Sequence, residues 1–466
     1  MPRSALRFSP SLFLSIFLLL AIAARAEVWV YPAPSPDFRS PDYRVTVIQA
    51  GQRYESFVYA HECQDEKLRD KMSDWNHWTT FSFSAPITVE VTRLKPDAAV
   101  AGATILPSAR GIRPATASAD LRTLTFSLDR PAKLFVRFPG AAENPLFIFA
   151  DAPEQNIPDR QDPNVIWFEA GKVTDIGEKF TIKSGQTVYI PGGAYVRGTI
   201  TAESASRIAI RGRGILSGFG YARRANITGI PFNSVMFNGP GTDQLVEGIT
   251  VTNPQHFCLL SRGTFTVRNV KLFGWWHQTD GWGGGDDSSI SDSFLKVNDD
   301  SVKFYGKNQT ARDLVIYQQV NGAPFQLGWG GDGQAATHCL AENIDVVTCE
   351  AADKTQREAN QAFLNLRNQS AKSVIDGVTI RRLRVDADLP MLLGLIQVKG
   401  TVRNLLFEDV VVHGKMNGKN FLRTEGTGSI SGIRWKNVRI HDQSVTSASD
   451  TQWSTTGQVT PVTILP

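Results

Sequence analysis

Cysteine is scarce in this chain: four residues in 466, at positions 63, 258, 339 and 349, with no Cys-x-x-Cys pair among them. That excludes a small disulfide scaffold and weakens any zinc or redox reading. Cys339 and Cys349 are the nearest pair in sequence, and most or all four read as small buried hydrophobes. No apolar run of bilayer length occurs after residue 22. Charge of one sign is missing as well. The net charge is +4, and residues 1–26 carry three arginines and no acid, leaving +1 for the remainder. Such a balance gives no electrostatic footprint for nucleic acid or a polyanion and favours a neutral ligand.

The first 26 residues have the marks of a secretory signal peptide. Arg3 and Arg7 precede the apolar stretch Leu12–Ile22, and Ala24-Arg25-Ala26 supplies a small-x-small cleavage site. The mature chain is expected to be secreted, either outside the cell or into a periplasm, with no membrane attachment after cleavage, and to be monomeric. Asn226, Asn308 and Asn368 fit the N-glycosylation pattern, which matters only in a eukaryotic host.

Two grammars follow. Residues 27–165 read as an N-terminal β-sandwich and linker. Tyr43–Ile48, Ile87–Thr92, Leu124–Leu128 and Leu134–Phe138 alternate apolar with polar, the period of strands with one buried face. Asp151–Asn164 is rich in Pro, Asp and Gln and reads as a connection. Residues 166–445 then carry a repeat. Six-residue units begin at Val246, Val267, Ile290, Ala311, Ala341, Ile375, Val402 and Ile430, spaced 21 to 34 residues apart. Each is apolar at its first and last places and has Asn, Asp or Gly at its third. A strand-and-turn repeat of this length without helical periodicity predicts a β-solenoid. The Leu-x-x-Leu-x-Leu frame of leucine-rich repeats is lacking. The fold class is therefore all-β, a sandwich followed by a right-handed parallel β-helix, with residues 446–466 as a loose Ser/Thr-rich tail.

Within the solenoid, acids and aromatics concentrate in two adjacent units. One contains Trp275-Trp276-His277-Gln278-Thr279-Asp280-Gly281-Trp282, the other Asn298-Asp299-Asp300-Ser301-Val302-Lys303-Phe304-Tyr305. Asp280 and Asp300 are 20 residues apart, close to one coil. Equivalent positions in successive coils stack at roughly one strand spacing, about 4.8 Å, so Asp280 should lie near one of the Asp299-Asp300 pair. Hydrolysing a glycosidic bond needs one carboxylic acid for the leaving oxygen and one carboxylate to activate water. Crowding carboxylates lets one stay protonated beside an ionised neighbour. A lone aspartate here would be a turn residue; three in adjacent coils, among four tryptophans within 55 residues, are a constellation. Asp286 and Asp287 lack the spacing of a calcium loop and read as turn residues, and His256 and His277 have no accompanying Ser or Cys nucleophile.

At these residues the chain resembles the family 49 glycoside hydrolases, the dextranase and isopullulanase group. Gln278-Thr-Asp-Gly281, Val297-Asn-Asp-Asp300, Val302-Lys303 and Asn321-Gly-Ala-Pro-Phe-Gln-Leu-Gly-Trp329 match its signature segments in order. The resemblance implies hydrolysis with inversion, Asp299 as general acid and Asp280 and Asp300 activating water, with no cofactor and no metal. Trp275, Trp276, His277, Trp282, Lys303, Tyr305, Gln326 and Trp329 are the candidate substrate-binding residues. The expected substrate is a neutral polysaccharide, an α-glucan of the dextran or pullulan type. Family 28 polygalacturonases are the nearest alternative. Where they carry Gly-His-Gly and Arg-Ile-Lys, this chain has Leu327-Gly-Trp-Gly-Gly-Asp332 and Leu364-Asn-Leu-Arg367, without the basic pair that would hold a uronate. A non-catalytic carbohydrate-binding solenoid would keep the tryptophans and lose an aspartate. Inversion places acid and base roughly 6.5–9.5 Å apart, with Asp299 facing away from the solenoid core.

Overall fold

The computed structural model describes residues 27–62, 75–95, 99–116, 121–140, 144–221, 233–276, 278–330, 335–353 and 361–465. The signal segment, Cys63, Asn226 and His277 lie outside the described residues. Among those described, no helix is long and apolar enough to cross a membrane.

The N-terminal part is a sandwich of two sheets. One orders Gln52–Ser56, Tyr43–Gln49, Ile87–Arg93, Thr123–Leu128 and Ala115–Thr116, all antiparallel. The other orders Val28–Val30, Trp75–Phe83, Leu146–Asp151, Ala132–Arg137 and Thr104–Leu106, with Val58–Glu62 also on Trp75–Phe83. Val45, Val47, Val89, Val91 and Phe126 of the first meet Phe81, Leu134, Val136 and Ile148 of the second in one core. The first sheet shows the expected alternation of burial. The second does not. Ala132–Lys133–Leu134–Phe135–Val136 and all of Leu146–Asp151 are buried, because the outer face of this sheet is covered too.

What covers it is the solenoid. Phe135, Phe147, Phe149, Trp78 and Tyr59 of the sandwich pack with Phe273, Phe294, Tyr317, Tyr195 and Trp275 of the solenoid in a second, largely aromatic core. Ring centroids are 4.9 Å apart for Phe147–Phe294 and 5.0 Å for Trp78–Phe273. Lys271 and Asp151, both fully buried, pair across the same boundary, and Lys133 reaches Asp292 at 2.5 Å.

From Val165–Trp167 onward the chain winds as a parallel β-helix, with 27 strands among the described residues joined in one ladder system. One stack of inward residues runs Ile210, Val246, Val267, Ile290, Ala311, Ala341, Ile380, Phe407, Trp435. The sequence repeat follows this stack as far as Ala341. Ile375, Val402 and Ile430 belong elsewhere, in a separate four-stranded parallel sheet of Val374–Asp376, Thr401–Arg403, Ser429–Ser431 and Gln458–Val459. Both series obey the same local grammar for one backbone reason. Their third residue is left-handed every time: Gly248 (φ 83°), Asn269 (52°), Asp292 (43°), Asp313 (55°) and Asn343 (58°) in one, Gly377 (68°), Asn404 (58°) and Gly432 (64°) in the other. Glycine takes that conformation freely, and Asn or Asp tolerates it through local side-chain bonding. The tail expectation is corrected here. Trp453–Thr456 pairs with Asn420–Thr424 and Thr463–Leu465 with Arg434–Ile440, so residues beyond 445 carry a last coil, with Ile464 stacked on Trp435.

Candidate active site

In the central coils the chain turns into the ladder formed by Trp282, Val302 and Phe325, whose side chains are all in the solenoid core. Two residues before each stand Asp280, Asp300 and Ala323. The Gly281 N–H donates to the Asp300 carbonyl at 2.9 Å and the Ser301 N–H to the Ala323 carbonyl at 2.9 Å, so Asp280 stacks directly on Asp300. This is the juxtaposition that the 20-residue interval predicts. Asp299 joins them: an oxygen from each of the three carboxylates lies within 4.8 Å of the other two.

Each carboxylate is held differently. Val302 and Phe304 enter the core, so strand alternation sends Lys303 to the opposite face, beside the acids. Its Nζ lies 2.6 Å from Asp280 Oδ1 and 3.5 Å from Asp300 Oδ2, and 4.6 Å from the Phe257 ring centroid. Asp300 Oδ1 also accepts from the Ala323 N–H at 3.1 Å and from Gln326 Nε2 at 3.2 Å, and Asn365 fixes the other end of Gln326 at 3.1 Å. Asp299 Oδ1 accepts from the Asp300 N–H and Oδ2 from Asn321 Nδ2, each at 3.0 Å. Asn321 is itself positioned by the fully buried Asn298, whose Oδ1 accepts the Asn321 N–H at 3.1 Å while its Nδ2 donates to the Trp275 carbonyl at 2.9 Å.

Asp280 and Asp300 are only 2% and 3% exposed, whereas Asp299 is half-buried. Burial, with Asp299 and Asp300 as like-charged neighbours, pushes the Asp280 carboxyl well above the ordinary range against the pull of Lys303. Burial and then the Asp299 charge push Asp300 up to about 7. Burial works against the Lys303 ammonium, yet Asp280 and Asp300 outweigh it and raise its pKa. Two buried acids therefore share one cation, an arrangement that keeps a proton mobile near neutrality. Three oxygens so placed could hold a metal ion, but the Lys303 ammonium already supplies positive charge at that point.

No protein-family model matches the chain. Its sequence is 24% identical over 457 residues to isopullulanase of Aspergillus niger, covering 86% of this chain and 78% of that enzyme. It is 30% identical over 165 residues to a dextranase of Arthrobacter sp. (strain CB-8), a match covering 30% of this chain and 26% of the dextranase. The solved structure of Dex49A from Penicillium minioluteum shares the fold, with a TM-score of 0.72 at 16% identity over 92% of this chain and 96% of that one. This chain is a dextranase-like glycoside hydrolase.

The remaining candidates of this hydrolase separate cleanly. Trp275, 1% exposed, is part of the aromatic boundary with the sandwich, and Trp282, fully buried, is part of the solenoid core. Neither offers a face to a sugar, which corrects the expectation for both. Trp276 is half-buried at the edge of the boundary. Gln326 is fully buried and serves Asp300 rather than a ligand. Tyr305 is half-buried, its ring centroid 5.5 Å from Lys303 Nζ. Trp329 is 37% exposed. Asp286 and Asp287 are turn residues, accepting from the Lys307 N–H and from Asn308 Nδ2. His256 is bonded to Asn233, and Cys258, Cys339 and Cys349 are buried.

Sequence reasoning missed Asn298, Asn321, Phe257 and Asn365. The signal was there for Asn321: it follows Asn298 by 23 residues, one coil, and so had to stack on it. Gly322 shows how tightly this turn is built. Its φ is +80°, and a Cβ there would sit 2.1 Å from the Asp299 carbonyl carbon. Gly322→Ala must displace the Asp299 backbone. Turnover is expected to fall roughly 10²-fold, the effect of a misplacement near 1 Å, with the far-ultraviolet circular dichroism unchanged. Full activity in that variant would show that Asp299 need not be held where it is.

Proposed function

We propose that the protein is an exported hydrolase of a neutral α-linked glucan of the dextran or pullulan type, and that it inverts the anomeric centre. The observation that carries this reading is the division of labour among three carboxylates. Asp299 is the accessible one, suited to reach a glycosidic oxygen and protonate it. Asp280 and Asp300 are stacked, buried and bridged by Lys303. As a unit they can orient one water and accept its proton while its oxygen bonds to the anomeric carbon. The cleaved oxygen leaves with the proton of Asp299, and solvent returns the pair and the acid to their starting states. Water is the only co-reactant required. The substrate class rests on the relatives, named isopullulanase and dextranase. It also rests on the commitment of Lys303 to the carboxylates rather than to a uronate. Export rests on the sequence of residues 1–26.

An inverting enzyme first releases the anomer opposite to the linkage it cleaves, a retaining enzyme the same one. The product anomer decides. Protein lacking residues 1–26 is incubated with dextran, pullulan and polygalacturonate, reducing sugar is measured, and the first anomer formed is read by proton NMR. Release from dextran or pullulan as the β anomer is expected. The α anomer first would replace inversion by a double displacement, activity on polygalacturonate alone would move the substrate to pectin, and glucan binding without hydrolysis would make the protein a binding solenoid.

A further inference from the structure

Resting on that reading, we infer that Trp329, turned outward by a β-bulge and backed by Arg367, is a stacking platform for a neutral sugar ring beyond the one being cleaved. In the strand Phe325–Gly330, Phe325 and Leu327 enter the solenoid core. Simple alternation would send Trp329 inward after them. Instead the register with the next coil slips: Gln326 pairs with Asn365 but Trp329 with Arg367, three residues on one strand against two on its neighbour. The extra residue reverses parity, so Trp329 emerges on the face that carries Gln326, which bonds Asp300, and Asn365, which bonds Gln326. Bulges of this kind re-aim side chains beside active sites.

The indole is also braced. The Arg367 guanidinium lies 5.0 Å from its ring centroid, and Arg367 Nε donates to Gln397 Oε1 at 2.6 Å. Gln369 Nε2 donates to the same oxygen at 3.1 Å, and Gln397 itself is left-handed, at φ 52°. A singly exposed tryptophan needs no explanation; one redirected by a bulge and backed by a cation that Gln397 holds is preorganised. Because of the bulge, the three residues from Gln326 to Trp329 span two of the neighbouring strand, roughly 7 Å. At that distance it meets a neighbouring ring of a polymeric substrate rather than the scissile bond. The apolar C–H face of a pyranose suits the indole, whereas Arg367 is engaged behind it.

The test uses the mature chain and two substitutions, Trp329→Ala and Arg367→Met. KM for a long glucan is expected to rise about tenfold in Trp329→Ala, the scale of one lost aromatic contact, with a smaller rise in Arg367→Met and little change for the shortest hydrolysable oligosaccharide. Trp329→Phe should recover most of the loss. In parallel, a glucan oligosaccharide is titrated into Asp299→Asn and into Asp299→Asn/Trp329→Ala, with calorimetry as the readout. Weaker binding only in the double variant supports the platform even where no glucan is hydrolysed, which separates it from the assigned reaction. Normal hydrolysis with KM unmoved by Trp329→Ala, or equal losses on long and short substrates, overturns it.

Discussion

Asp299→Asn should lower turnover of the glucan by roughly 10²–10⁴-fold, the contribution of a positioned general acid, while leaving the fold intact. The asparagine keeps the shape of the side chain and can still meet Asn321 after an amide flip, but it has no proton of the required acidity. The effect should depend on the leaving group. A glycosyl fluoride departs without protonation, so Asp299→Asn should retain most wild-type activity on that substrate and lose it on the polymer. Equal losses on both would remove Asp299 from the acid role and return the assignment to the stacked pair. Burial makes that outcome a real alternative, since Asp280 and Asp300 are the acids whose pKa is raised. Access argues the other way, because Asp299 is the more exposed of the three.

Lys303→Met should be the other severe change. It keeps the length of the side chain in contact with Phe257 and removes the charge shared by Asp280 and Asp300. Losing one partner of a buried ion pair costs on the order of 3–5 kcal/mol when the remaining charge persists; here the carboxyls can protonate instead, which limits the loss at low pH. The sign follows from linkage. The folded Asp300 holds its proton up to about 7, above the unfolded value of about 3.9. The stability it contributes is therefore fully present below the unfolded value and is lost as pH rises through the folded one. Without Lys303 both carboxyls rise further, so the loss extends to more alkaline pH. Denaturant midpoints should fall more at pH 8 than at pH 5, and the acidic limb of the pH–rate profile should move to higher pH. A variant with the wild-type limb would show that the ammonium does not set the charge of the pair.

The contrast between Lys303 and the tryptophans shows how the site could and could not be read in advance. Lys303 lies between two core residues in a strand, so parity alone puts it with the acids. Trp275 lies in an equally legible motif, yet it is buried in a cluster that also contains Phe147, Phe149 and Trp78, more than 120 positions earlier in the chain. No local pattern announces that the second sheet of the sandwich will be laid against this part of the solenoid. Trp329 presents the opposite case: alternation buries it, and a one-residue bulge brings it out. The slip from Ala341 to Ile375 has a similar origin, since two different turns impose the same left-handed requirement and so write the same pattern of Asn, Asp and Gly.

By itself, the sequence determined the solenoid and the meeting of Asp280 with the Asp299–Asp300 pair, because both follow from a period: coil length fixes which residues stack. It also determined the alternating sheet of the sandwich, which has one face in a core. Tertiary structure alone decided which tryptophans remain open to a ligand, that the last residues close a coil, and that the acids approach within 4.8 Å. These depend on how the sandwich and coils pack together, and packing between segments distant in sequence leaves no periodic trace in either of them.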